Sequence, residues 1–274
     1  MRDKKLFNGE KLPVIGLGTY TFGGGLSTDH SQDREQVQII RKAIELGYRH
    51  IDTAQMYGGG HTEELVGEAI SPFNREELFI TTKVQGGDLA YKKVIHVLEQ
   101  SLKRLKTEYV DLYLIHWPNP VIPLKSTFQA FNELVREGKI RYTGVSNFSV
   151  SEMKQAQEFS NTPIATNQVE YSVGSRAPER KGVLDYCREH GILLTAYEPL
   201  GKGRLIGNRI LQKVADKYGV STAQVALAWL ICKPGVITIP MTSNEEHLRD
   251  NLAALDLELS QVDLQLLEEL DGAA

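Results

Sequence analysis

Eight short runs rich in apolar, β-branched and aromatic residues recur along this chain, each followed by an amphipathic stretch, and that alternation constrains the fold more than any other feature. The runs are VIGLGTY (14–20), HIDTA (50–54), LFITTKV (78–84), VDLYLIHW (110–117), IRYTGVSN (140–147), IATNQVEY (164–171), LLTAYEPL (193–200) and VITIPM (236–241). Most are continuous rather than alternating in polarity, as strands covered on both faces are. Among the intervening stretches, REQVQIIRKAIELG (34–47) ends on Gly47, a natural helix stop, and KKVIHVLEQSLKRLKT (92–107) spaces its apolar residues at three and four. PERKGVLDYCREHG (178–191) reads as a further helix. Strand followed by helix, eight times in 274 residues, predicts an α/β fold, a closed (β/α)₈ barrel forming one domain over 1–274. A doubly wound sheet is the alternative, but GLGTYTFGGG does not follow the first strand as a dinucleotide fingerprint must. FNGEKLP (7–13) predicts an N-terminal β-hairpin with Asn8-Gly9 in a tight primed turn, and SQVDLQLLEEL (260–270) an extra C-terminal helix.

Chemistry in such barrels sits at the C-terminal ends of the strands. Sorted by that rule, the second run ends at Asp52 with Tyr57 just beyond, the third at Lys83, the fourth at His116 and Trp117, and the fifth at Ser146 and Asn147. The sixth carries Asn167, Gln168 and Glu170, and the seventh Tyr197 and Glu198. Each alone has an ordinary structural explanation: a core histidine, an aspartate closing a loop, a packed tyrosine. Lys83 is the hardest to explain that way, because apolar residues flank it and unpaired buried lysines are rare. Together the four residues Asp52, Tyr57, Lys83 and His116 suit carbonyl reduction. A free tyrosine, with a pKa of about 10, is a poor acid at neutral pH. A neighbouring ammonium is expected to lower that value, an aspartate to keep the lysine charged, and a neutral histidine to steer a carbonyl oxygen towards the phenol.

The net charge of −4 comes from interspersed acidic and basic residues, so no nucleic-acid partner is expected. No secretory leader and no bilayer-length apolar run is read, so no membrane partner is expected either. Two cysteines, Cys187 and Cys232, fit a reduced cytoplasmic protein, taken as a monomer. No metal site is read: HTEEL (61–65) lacks the second histidine of a zinc helix.

GYRHIDTAQMYGGGHTEELVGEAI, LFITTKV, YVDLYLIHWP, GKIRYTGVSNF and NQVEY, in that order, resemble the aldo-keto reductases over essentially the whole chain, with the short diketogluconate-reductase-like members nearest in shape. The resemblance implies that Asp52, Tyr57, Lys83 and His116 form the catalytic tetrad and that Tyr57 is the general acid. It further implies that Ser146, Asn147 and Gln168 bind a nicotinamide carboxamide on which Tyr197 stacks. PLGKGRL (199–205), with Leu200, Gly201 and Arg204, is expected to follow the pyrophosphate through its backbone N–H groups, and Gly18 and Thr19 join the cofactor set. Glu198 stands where the family has serine and is left without a role.

At the adenosine end the chain departs from the pattern. The lysine and arginine that usually hold the 2'-phosphate of NADPH are replaced by Met241 and His247 in IPMTSNEEHLRDN. Thr242, Ser243, Asn244, partly protonated His247 and the helix N-terminus near Asn244 are the substitutes on offer, with Asp250 and Asn251 matching the residues that meet the adenine. NADP(H) is therefore favoured, with weakened discrimination that leaves NAD(H) open. Tyr20 and Trp117 are expected to wall a substrate pocket for small or medium carbonyl compounds. Without a long C-terminal loop, that pocket is expected to be open and permissive. Two other functions fit less of the sequence: a Schiff-base aldolase using Lys83, and a non-catalytic redox-sensing barrel.

Overall fold

Parallel hydrogen bonding orders eight strands into one sheet whose two edges meet. The structure, a computed structural model, describes residues 3–270; the ends of the expected 1–274 span lie outside the described residues. Strands β1 (Asp3–Lys5) and β2 (Lys11–Pro13) form an antiparallel hairpin. The barrel strands are β3 (Leu17–Gly18), β4 (His50–Asp52), β5 (Phe79–Val84), β6 (Val110–Ile115), β7 (Ile140–Ser146), β8 (Thr166–Glu170), β9 (Leu193–Tyr197) and β10 (Val236–Thr238), paired in chain order. Ile15 bridges Thr238 in parallel, and Gly16 N–H donates to the Thr238 carbonyl at 2.8 Å, which closes the barrel. The fold expected from the eight apolar runs is therefore observed.

Helices α1 (Asp33–Leu46), α2 (His61–Ile70), α3 (Tyr91–Leu105), α4 (Leu124–Arg136), α5 (Val150–Phe159), α6 (Ala177–Arg180), α7 (Val183–Glu189), α8 (Arg209–Tyr218), α9 (Thr222–Cys232), α10 (Glu245–Ala253) and α11 (Gln261–Glu268) lie between or after the strands. Gly47 ends α1 in the left-handed conformation as expected, its N–H returning to α1 carbonyls. The helix expected over 178–191 is instead two, α6 and α7. Gly182 breaks it with φ 68°, a left-handed conformation incompatible with a continuous helix. The hairpin also differs from expectation. Gly9 alone has positive φ, and Leu6 and Glu10 pair across a three-residue loop, so the turn is a bulged one rather than a two-residue primed turn. Among the described residues no helix is long and apolar enough to cross a membrane.

Strand register decides which side chains reach the lumen. Residues paired in register share a face, and the face repeats every second residue. Gly18, Asp52 and Thr81 are in register across β3–β5, and Lys83, Leu114 and Gly144 across β5–β7. Ser146, Gln168, Thr195 and Ile237 continue the same face across β7–β10. Period two then adds His116 and Tyr197. Asn167 has the opposite parity: it points out of the lumen, donating to the Phe148 carbonyl at 2.9 Å. It therefore holds the turn into α5 and is not one of the rim groups, contrary to the expectation from its place in the run.

Candidate active site

Tyr57 enters the mouth from a tight turn after β4, built by Gly58, Gly59 and Gly60 with φ of 57°, 65° and 103°. Gly58 has no room for a side chain, because a Cβ there would lie 2.6 Å from the Gly23 carbonyl oxygen. This close packing, with the Gly58 N–H donating to the Gly25 carbonyl and the Thr28 hydroxyl to the Gly58 carbonyl, fixes Tyr57 against the loop after β3. Tyr20 from that loop meets the Tyr57 ring edge-on, with centroids 5.2 Å apart.

Lys83 is fully buried and three oxygens surround its Nζ: Asp52 Oδ1 at 2.5 Å, the Thr53 carbonyl at 2.8 Å and the Tyr57 hydroxyl at 3.3 Å. Burial by itself would drive off the charge, but Asp52, followed by Tyr57, outweighs it and holds the lysine pKa above its ordinary value. A Schiff-base lysine needs a neutral amine, so this environment speaks against aldolase chemistry. Tyr57 departs from the sequence expectation. Its pKa is raised, not lowered, because burial exceeds the opposing pull of Lys83. The phenol thus keeps its proton, with the Lys83 ammonium beside its hydroxyl.

His116 continues β6 and lies edge-on to Tyr57, with ring centroids 5.6 Å apart. Burial, helped by Lys83, pushes its pKa down to about 3, so the imidazole is neutral as expected. Its Nδ1 is buried without a hydrogen-bond partner.

Ser146, Asn147, Gln168 and Tyr197 gather on the neighbouring wall. Asn147 adopts φ 61°, donates to the His116 carbonyl and to Ser146 Oγ, and accepts from the Tyr197 hydroxyl at 3.0 Å. This patch of amides and hydroxyls beside a half-buried aromatic fits a flat, amide-bearing ring such as nicotinamide. Gln168 Nε2, however, donates to Asp52 Oδ2 at 2.8 Å, a partner the sequence did not indicate.

The phosphate end is less open than expected. In the 199–205 loop the N–H groups of Gly201, Gly203, Arg204 and Leu205 donate to Glu198, Leu200 and Gly201 carbonyls, so they are already engaged. Arg204 Nε also donates to the Gly201 carbonyl. Glu198 pairs with Lys202 at 3.1 Å, which neutralises the acid that the sequence left unexplained. The α10 N-terminus is occupied too. Asn244 Oδ1 accepts from the Glu246 and His247 N–H groups, and Glu245 and Glu246 bring negative charge into the first turn. It therefore offers an anion less than the sequence suggested.

Exposed Met241 lies beside the loop after β3, where the Thr21 hydroxyl meets its sulfur at 3.4 Å. Thr242 Oγ1 lies 3.4 Å from His247 Nδ1 and Ser243 is exposed. Gly18 is buried against the Ile239 carbonyl, and the Thr19 hydroxyl donates to the Asp52 carbonyl. Asp250 accepts from Ser221, and Asn251 is already buried on the inner face of α10, near Tyr48. Tyr20 and Trp117 are 42 % and 52 % exposed.

Away from the tetrad, His61 joins α1 and α2. Its Nε2 lies 2.7 Å from Asp33 Oδ1 and its Nδ1 2.8 Å from Glu64 Oε2, while His30 Nδ1 lies 3.0 Å from Asp33 Oδ2. The sequence reading of HTEEL missed this cluster because His30 and Asp33 come from a different segment.

Residues 14–272 match the family described as Aldo/keto reductase family. The methylglyoxal reductase YeaE of Escherichia coli (strain K12) is 38% identical over 270 residues, covering 96% of this chain and 93% of its own. Among solved structures, the thermostable aldo-keto reductase Tm1743 in complex with the inhibitor epalrestat is 47% identical with a TM-score of 0.96, covering 98% of this chain and all of that one. The aldo-keto reductase from Klebsiella pneumoniae in complex with NADPH is 37% identical with a TM-score of 0.91, covering 99% of this chain and 96% of its own.

Proposed function

Since the chain belongs to the aldo/keto reductase family, we propose that it reduces aldehydes or ketones to alcohols, with Tyr57 donating the proton. The observation that carries this reading is the buried Lys83 ammonium shared between Asp52 and the Tyr57 hydroxyl, with neutral His116 edge-on to the phenol. In this account Asp52 keeps Lys83 charged, and Lys83 favours the phenolate left on Tyr57. His116, unable to compete for the proton, directs the carbonyl oxygen towards the phenol. When bound, a reduced nicotinamide supplies the hydride. Ser146, Asn147 and Gln168 would hold its carboxamide and Tyr197 its ring face. Leu200, Gly201 and Arg204 would follow the pyrophosphate once the 199–205 loop gives up its internal hydrogen bonds.

We favour NADPH, supported by the relative bound to it, with reduced preference over NADH because Met241 supplies no charge. The substrate would be a small or medium carbonyl compound lying between Tyr20 and Trp117. Methylglyoxal is a natural first choice, given the name of the Escherichia coli relative. The protein would work as a cytoplasmic monomer. A panel of aldehydes and ketones assayed with NADPH and NADH in parallel tests the proposal. Carbonyl-dependent loss of reduced-nicotinamide absorbance is expected, and no turnover across the panel would overturn it.

A further inference from the structure

The amide of Gln168 reaches across the mouth of the barrel. Gln168 lies on β8 and Asp52 on β4, four strands apart in an eight-stranded barrel and so on opposite walls. Both side chains are buried, and the Gln168–Asp52 hydrogen bond is 2.8 Å. Asp52 therefore has one partner on each oxygen, Gln168 on Oδ2 and Lys83 on Oδ1, and cannot rotate without breaking both bonds. Hydrogen bonds to a charged group in such a low-dielectric site are among the stronger ones.

The main chain of Gln168 carries a second set of bonds. Its carbonyl accepts from Ser146 Oγ at 2.8 Å and from the Asn147 N–H at 2.9 Å. Asn147 in turn accepts from Tyr197 and donates to the His116 carbonyl. Gln168 thus bonds both to the groups proposed to hold nicotinamide and to the carboxylate behind the proton donor.

We propose that Gln168 is a positioning residue for proton delivery. Its amide holds the Asp52 carboxylate so that the other oxygen faces Lys83, and this links the nicotinamide half of the site to Tyr57. The inference rests on the carbonyl-reductase reading above. A residue that only gripped a cofactor amide would behave differently, since its loss would weaken cofactor binding and leave turnover at saturation intact.

Two variants separate these cases. Gln168→Met keeps the length and removes the donor. Gln168→Glu keeps the shape and donates only when protonated. Gln168→Met is expected to lower kcat at saturating NADPH by about ten- to a hundredfold, the scale of one hydrogen bond to a charged group. The fall in NADPH affinity, read by quenching of protein fluorescence, is expected to be smaller. Gln168→Glu is expected to approach wild-type kcat at acid pH and lose it as pH rises. Its carboxyl then ionises against Asp52, which raises the pKa and delays the loss.

The cofactor-free protein gives an independent readout. Relative to wild type, Gln168→Glu is expected to gain thermal stability as pH falls, because a carboxyl whose folded pKa is raised stabilises below its titration and not above it. Adding Asp52→Asn is expected to weaken that pH dependence, leaving only the part that burial of the new carboxyl imposes. Wild-type kcat at saturation in both variants, or a pH dependence that Asp52→Asn leaves undiminished, overturns the inference. If wild type turns over no carbonyl, the function fails, while the stability measurement still decides whether residues 168 and 52 are coupled.

Discussion

The Lys83 ammonium lies 3.3 Å from the Tyr57 hydroxyl, at a place where both side chains are buried. Two opposing effects meet in that contact. Burial raises the phenol pKa and the ammonium draws it back without cancelling the rise. In the proposed reaction the proton would stay on Tyr57 until a substrate oxygen takes it, and the charge then left on the phenolate would face a cation already in place. Little reorganisation is needed at the moment of transfer.

Lys83→Met is expected to lower turnover by about 10²–10⁴-fold, the range attributed to positioned proton donors. It is also expected to destabilise the fold by about 3–5 kcal/mol, because Asp52 is left as an uncompensated buried charge. Combining Lys83→Met with Asp52→Asn should restore part of that stability, since contacting partners are non-additive. Thermal unfolding of the two single variants and the double variant measures this. Strictly additive losses would show that the two groups do not act as a unit.

Met241→Lys is expected to tighten NADPH selectively. The new ammonium would occupy an exposed position, so solvent screening places the gain near the lower end of a charge-assisted contact, about tenfold. NADH affinity should hardly change, because that cofactor lacks the 2'-phosphate. Parallel titrations of both reduced cofactors into wild type and variant check this, and equal tightening of both would show that residue 241 lies away from the phosphate.

Stability should depend on His61 in a pH-dependent way. Burial opposes its charge, but hydrogen bonds to Glu64 and Asp33 prevail and raise its pKa. For a group whose folded pKa is raised, the stabilisation is fully present below the unfolded value of about 6.5 and fades as pH rises through the folded value. His61→Gln should therefore lower Tm by several degrees at pH 5.5 and by less at pH 9, at roughly 2–4 °C per kcal/mol for a chain of this size class. An equal loss at both pH values would mean that the imidazolium contributes nothing.

What the sequence made legible follows from covalent geometry. Side chains alternate along a strand, so polar residues at the ends of apolar runs had to converge on one mouth. Asp52, Lys83, His116 and Ser146 could be read that way. Asn167 shows the limit: its place in the run was clear, but its parity follows from register with Val145, which no local pattern fixes. The Gln168–Asp52 bond joins residues 116 apart across the lumen, and nothing in NQVEY points to Asp52. The engaged amides of 199–205 and the Glu198–Lys202 pair depend on how a glycine-rich loop folds on itself, a choice set by rotamers and left-handed backbone at Glu198 and Lys202. The raised pKa of Tyr57 was missed for a related reason. The sequence identified the nearby charge, whereas the depth of burial is a tertiary property.

Tyr57→Phe tests the central claim most directly, because it removes one hydroxyl from a buried ring and keeps the packing against Tyr20 and His116. Turnover of methylglyoxal and simple aldehydes with NADPH should be measured beside NADPH affinity in the same variant. A fall of at least about a hundredfold in kcat, with affinity nearly unchanged, is the expected result. Substantial turnover by the phenylalanine variant would contradict the assignment and place the proton donor elsewhere.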